Sequence, residues 1–253
     1  MRSLLLLVAL CSPLVLAQSL IDVQSHTLLR LPATNAVLRV ERLHVADNGT
    51  LLIPSGLTEM HVAELRLGRD ARIAVAPGEQ AFRLDVVKGE IAAGAQISVR
   101  GAPGSFLRPA LPGRTLSIRL VDVVAQALLI DARGGMGAPG YTGLDGADGK
   151  PGGCSWGQAS GGHDGLSGGD GQAGARGGQV RLEVPVDFPL QRLQVLLDGG
   201  AGGAAGNGGS AGVGGASRGC WLYSTAQARD GRPGQAGQAG TAGAAGSLDV
   251  VRF

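Results

Sequence analysis

"GGAGGAAGNGGSAGVGGASRGCW", residues 199–221, decides how this chain is read. By composition it is a flexible linker. By spacing it is not, because Gly200, Gly203, Gly206, Gly209, Gly212 and Gly215 fall at every third position. A random coil is indifferent to where its glycines lie, so a linker has no reason to hold a register. Three other stretches hold the same one: Gly137, Gly140, Gly143, Gly146, Gly149 and Gly152; Gly162, Gly165, Gly168, Gly171, Gly174 and Gly177; and Gly231, Gly234, Gly237, Gly240, Gly243 and Gly246. Period three is that of an extended helix of the polyproline II kind with one face stripped of side chains.

The four runs come in pairs. The first two flank "GCSWGQASG" and the last two flank "ASRGCWLYSTAQARD", so each pair encloses one cysteine and one tryptophan. Each pair leaves a strand-like segment ending in Asp ("LLIDARGG", "VLLDGG") and returns into another ("QVRLEV", "SLDVV"). The expectation is two long hairpins pointing the same way, each leg about 50 Å long at the rise of this helix type. That helix has no internal hydrogen bonds, so its amides must bond to neighbouring legs.

The rest of the chain reads as strands. "LRVERLHV" (38–45), "HVAELRL" (61–67), "FRLDVV" (82–87), "LSIRLVDVV" (116–124), "VRLEVPV" (180–186) and "LDVVRF" (248–253) alternate apolar and polar residues. That is the period of a half-buried strand. Between them lie short apolar segments closed by Gly or Pro, such as "GTLLIPSG" and "ARIAVAPG", which carry turn chemistry. Ile53 to Val75 is 22 residues and Val75 to Val99 is 24. A strand–turn unit of near-constant length predicts a mainly β chain whose body is β-solenoid-like, with coils stacked on one another and little α-helix. A β-sandwich is the alternative.

The start, "MRSLLLLVALCSPLVLAQS", has the charged residue, apolar run and small-residue site of a secretory signal cleaved after Ala17. The apolar run is too short to span a bilayer and Pro13 interrupts it. A lipoprotein signal on Cys11 is disfavoured by Leu10 before it. The expected organisation is a signal peptide over 1–17, the body over 18–133, a first glycine-rich hairpin over 134–178, body strands over 179–198, a second hairpin over 199–246 and a closing strand over 247–253. Export to the cell surface or medium, or to the periplasm, leaves Cys154 and Cys220 as a pair in an oxidising compartment, which predicts one disulfide. It would tie the two hairpin tips together.

The glycine register over 134–247 resembles polyglycine II bundle proteins, the group that includes snow flea antifreeze protein and the receptor-binding tips of some phage tail-fibre adhesins. The resemblance implies a four-helix polyglycine II bundle, serving either as a flat ice-facing surface or as a rigid mount for recognition loops. The positions between the glycines mix Asp, Arg, Gln, His and Lys and form no regular Thr or Ala face. The collagen-like stretch "GAPGYTGLDGADGKPG" is the rival, but a triple helix needs three chains and abundant proline, and these runs are short and paired.

Other motifs fall away on inspection. Gly135-x-Gly137-x-x-Gly140 has dinucleotide-fingerprint spacing, yet glycine at every third residue is incompatible with the α-helix that motif needs. "GGHDGLSGGDGQAG" is reminiscent of a calcium-binding nonapeptide repeat, but its period is three and Ala173 stands where an Asp belongs. Asp145, Asp148, Asp164 and Asp170 are expected on a solvated side. Cofactor and metal are expected to be absent. His26, His44, His61 and His163 are scattered, and no nucleophile–base set emerges. A net charge of +2 without a basic–aromatic stripe gives no nucleic-acid signature, and no stretch after the signal is long and apolar enough to span a membrane.

Aromatics make up only 3% of the chain. Trp156, Trp221 and Tyr223 nevertheless gather at the hairpin tips, where they would either pack on the disulfide or bind a surface glycan or protein receptor. The expected function is a secreted or cell-surface structural or adhesion protein and not an enzyme. A polysaccharide-active β-helix enzyme and a self-assembling matrix component are the alternatives.

Overall fold

A computed structural model describes residues 19–33, 35–154 and 157–253; the expected signal segment and Trp156 lie outside them. The chain forms β1 (Leu20–Val23), β2 (Leu28–Arg30), β3 (Val37–Val45), β4 (Thr50–Ile53), β5 (Glu59–Leu67), β6 (Arg72–Val75), β7 (Phe82–Ile91) and β8 (Ala95–Ser98). It continues through β9 (Leu116–Ala125), β10 (Leu128–Asp131), β11 (Gln179–Val184), β12 (Leu193–Leu196), β13 (Arg218–Gly219), β14 (Ser224–Thr225) and β15 (Ser247–Arg252).

Strands alternate between two sheets. The long ones order as β1-β3-β5-β7-β9-β11-β15 and the short ones as β12-β10-β8-β6-β4-β2. Every pairing in these two sheets is parallel. A β-sandwich is built from antiparallel strands, so that alternative is corrected: the chain is mainly β with parallel sheets and almost no helix. One long and one short strand make a coil. Val37 stands opposite Glu59, 22 residues on, and Ile53 opposite Val75, the interval read from the sequence.

The core lies between the two sheets, and parallel register stacks like on like. Val40, Val62, Val86 and Leu120 form one buried column, and Val45, Leu67, Ile91 and Ala125 another. Each fully buried Val, Leu or Ile contributes about 1.5–3 kcal/mol. The turns from long to short strand repeat a left-handed residue, His26, Asn48, Asp70 and Gly94, with φ between 53° and 77°. Asn, Asp and Gly tolerate that conformation best, which lets each coil reverse tightly at the same place.

The opposite turn, from short to long strand, is where coils differ. After β4 and β6 it is brief. After β8 it holds a small hairpin, Val99–Thr115; after β10 and β12 it holds the two glycine-rich segments. Arg114, at the foot of the small hairpin, is buried without a carboxylate beside it among the described residues. Its guanidinium instead donates to the carbonyls of Leu57 (2.9 Å), Ala76, Gln80 and Ala81, clamping the two preceding turns.

The four glycine runs are numbered here as legs one to four. The sequence predicts a four-helix polyglycine II bundle in them; the structure shows no α-helix there, and the only helix among the described residues is a 3-10 turn at Leu190–Arg192. Instead the amides bond between legs at every third residue. Gly137, Gly140, Gly143 and Gly146 of leg one donate to Ala201, Ala204, Asn207 and Ser210 of leg three at 2.8–2.9 Å. Gly165, Gly168 and Gly171 of leg two donate to Arg232, Gln235 and Gln238 of leg four at 2.8–2.9 Å. Leu166 N reaches Leu144 O (2.8 Å), Gly206 N reaches Gly169 O (3.0 Å) and Gly237 N reaches Gly206 O (2.9 Å). Legs two and three are therefore central, each bonded to the other three.

The base of the first hairpin is held by Asp131, whose side chain is 2% exposed and accepts Arg133 Nε (2.9 Å) and Nη2 (2.8 Å), with Arg100 Nε at 3.6 Å. Burial works to raise its pKa, but the Arg133 hydrogen bonds outweigh it and hold the carboxyl below its ordinary value. A depressed folded-state pKa gives stability that is present above the unfolded value near 4 and lost as pH falls through the folded one. Urea midpoints at pH 7 and pH 3 should therefore converge more in Asp131→Asn than in wild type. Equal pH sensitivity would remove Asp131 from the account.

Candidate functional site

At the end of the second hairpin, β13 and β14 pair antiparallel and Cys220 N donates to Tyr223 O at 2.7 Å, closing a four-residue turn. Cys220 is disulfide-bonded to Cys154 of the first hairpin, 66 residues away, with Cα atoms 5.5 Å apart. Tyr223 Oη lies 2.5 Å from Cys154 O and 3.2 Å from Gly153 O, and donates across the same seam. Thr225 is buried beneath it; Arg218 N donates to its Oγ1 at 3.0 Å, and a Cβ at Gly152 would sit 2.2 Å from that atom.

What this scaffold leaves uncovered is the apex. Trp221 is 94% exposed and Leu222 83%. Of the aromatics singled out from the sequence, Tyr223 is a fastener as well as a surface, and Trp221 is presented to solvent without packing on the disulfide. Trp156 falls outside the described residues.

The aspartates between the glycines have a task that sequence reasoning missed. Asp145 Oδ1 accepts Ser210 N (2.6 Å), Asp148 accepts Val213 N (2.7 Å), Asp164 accepts Arg232 N (2.6 Å) and Asp170 accepts Gln238 N (2.7 Å). They are exposed, as expected, yet each also satisfies an amide of a neighbouring leg that the glycine lattice leaves over. Among the described residues, no group of three or more His, Cys, Asp or Glu side chains could hold a metal ion.

A second feature lies on the long-strand sheet. Alternation breaks once per strand, where two successive residues face outward: Glu41-Arg42, Ala63-Glu64, Val87-Lys88 and Val121-Asp122. These doublets stack over four coils beside a groove of about 430 Å³ lined by Arg42, Glu64, Arg66, Lys88, Glu90 and Asp122. Arg42 Nε lies 3.0 Å and Arg66 Nε 3.1 Å from the Glu64 carboxylate. The Arg42 hydrogen bond holds Glu64 below the ordinary carboxylate range.

Comparison with protein-family models, curated proteins and solved structures finds no match.

Proposed function

We infer that this is an exported structural or adhesion protein. In this reading a β-solenoid-like body carries four polyglycine II-type legs as a stiff rod, and the rod holds a disulfide-tied aromatic turn away from the body for contact with a surface glycan or a protein receptor. The observation that carries it is the pairing of near-complete exposure at Trp221 and Leu222 with rigid closure of the turn beneath them. A rigid aromatic anchor loses little entropy on binding, which is why such residues dominate contact energies. Leg three alone, from Gly200 to Gly215, gives a reach of about 47 Å.

The disulfide fits an oxidising compartment, and no helix among the described residues is long and apolar enough to cross a membrane. The charged groove is the feature that a polysaccharide-active enzyme would use. Glu64 is ion-paired to both Arg42 (3.0 Å) and Arg66 (3.1 Å), so the groove is read as an ion-paired surface.

Trp221→Ala combined with Leu222→Ser should lower binding to a glycan array or to intact cells by about tenfold or more, at the cost scale of losing a central aromatic anchor. The unfolding free energy from urea titration should stay within about 0.5 kcal/mol of wild type, since both side chains are exposed. Undiminished binding by a folded variant would sink this reading.

A further inference from the structure

The small hairpin after β8 is a rung that stops early. Its outgoing leg donates from Gly101 to Arg133 O (2.9 Å) and from Gly104 to Met136 O (2.7 Å), and its return leg from Gly113 to Arg176 O (3.0 Å). It buries Ala138 of leg one and takes a hydrogen bond from Gln172 Nε2 of leg two at Ser105 O (2.9 Å). Then it turns back at Ser105–Arg108. Legs one and two run on past it from Gly140 to Gly152, about 37 Å of chain at this rise.

Period three continues the same faces outward. The carbonyls after Arg133 and Met136 in the series are those of Pro139, Thr142, Asp145 and Asp148. None accepts a hydrogen bond from the described residues. After Ala138 the side chains are Tyr141 and Leu144; after Gln172 they are Gly169 and Leu166. The Tyr141 ring covers Gly169, where a Cβ would meet it at 2.4 Å. Tyr141, Leu144 and Leu166 are exposed, and so are Phe106 and Leu107 at the end of the small hairpin. This is an apolar ledge edged by a row of free acceptors, continuous with an interface the chain already makes to itself.

We propose that the ledge binds a separate polypeptide strand in the extended three-residue conformation, with glycine at every third position, seated as the continuation of the small hairpin. Such a strand supplies amide donors at the spacing of the Pro139, Thr142, Asp145 and Asp148 carbonyls. Its glycines meet the need seen at Gly104, where a Cβ would lie 3.1 Å from Ala138 N. Its other side chains cover Tyr141, Leu144 and Leu166. A second copy placed ledge to ledge would cover the leucines but set acceptors against acceptors, leaving both rows without donors.

The test is fluorescence anisotropy of the full chain, disulfide intact, with a labelled peptide of five Gly-Ala-Pro triplets and a shuffled peptide of equal composition. Binding should favour the periodic peptide by about tenfold and fall by about tenfold or more in the double variant L144D/L166D, whose sites are exposed. The tip variant Leu222→Asp should bind the peptide as wild type does, which separates this site from the aromatic turn. Absent binding, equal affinity for the shuffled peptide or indifference to L144D/L166D would each overturn the proposal. So would a dimer in sedimentation velocity that L144D/L166D dissolves, because the ledge would then belong to a second copy.

Discussion

Gly171→Val should dismantle the glycine-rich hairpins while leaving the β body folded. A Cβ at Gly171 would lie 2.1 Å from Gly203 O and 2.6 Å from Gly203 C, and both are backbone atoms. They cannot swing aside, because Gly203 N donates to Gln172 O (2.8 Å) and Gly203 O accepts from Gly240 N (2.9 Å). Pushing legs two and three apart forfeits about three inter-leg hydrogen bonds at about 1 kcal/mol each, with about 1–3 kcal/mol of overpacking besides. The expected loss is about 5 kcal/mol. Hydrogen exchange should show it as lost protection at the amides of legs two to four, with β3, β5 and β7 still protected. Gly56, which has open space where a Cβ would go, is the contrast: Gly56→Ala should be neutral or stabilising by about 0.5 kcal/mol. If both substitutions cost the same, the lattice is not what the register glycines are for.

Paired replacement of Cys154 and Cys220 by Ser should lower stability by about 4 kcal/mol, the loop-closure entropy for a 66-residue separation. The loss falls on the unfolded chain, so the spectrum of the native state should change little. Tyr223 still donates to Cys154 O across the seam through a backbone acceptor that Ser preserves. Urea unfolding of wild type with and without reductant should reproduce most of the effect, and coincident curves would show that the legs alone hold the tip.

Much of this was legible because the governing periods are short. Alternation marked β3, β5, β7, β9 and β11, and the 22-residue interval placed Ile53 opposite Val75. The glycine triplets forecast that the amides of legs one to four would bond outward, and two cysteines left little choice of partner. Sheet direction was not legible, because a period of two is the same in parallel and antiparallel strands. The doublet at Glu41-Arg42 was not legible, because one break in the alternation gains meaning only when the neighbouring coils repeat it. The small hairpin escaped because only Gly101 and Gly104 keep its register before Ser105 interrupts. A lengthening of the coil, Arg83 to Ser117 being 34 residues, was its one signal. The aspartates could not be assigned because their partners, 65 or 68 residues distant, are set by how the legs slide past one another.

All three insertions open at the same corner of the coil, after β8, β10 and β12. That corner is a socket whose contents do not disturb the stack, since β9, β11 and β15 pair in register whatever precedes them. Reach is consequently quantised. A triplet added to each leg of both long hairpins moves the tip outward by one step of about 9 Å, with every glycine still facing a carbonyl and the two cysteines still abreast. A triplet added to one hairpin alone parts them.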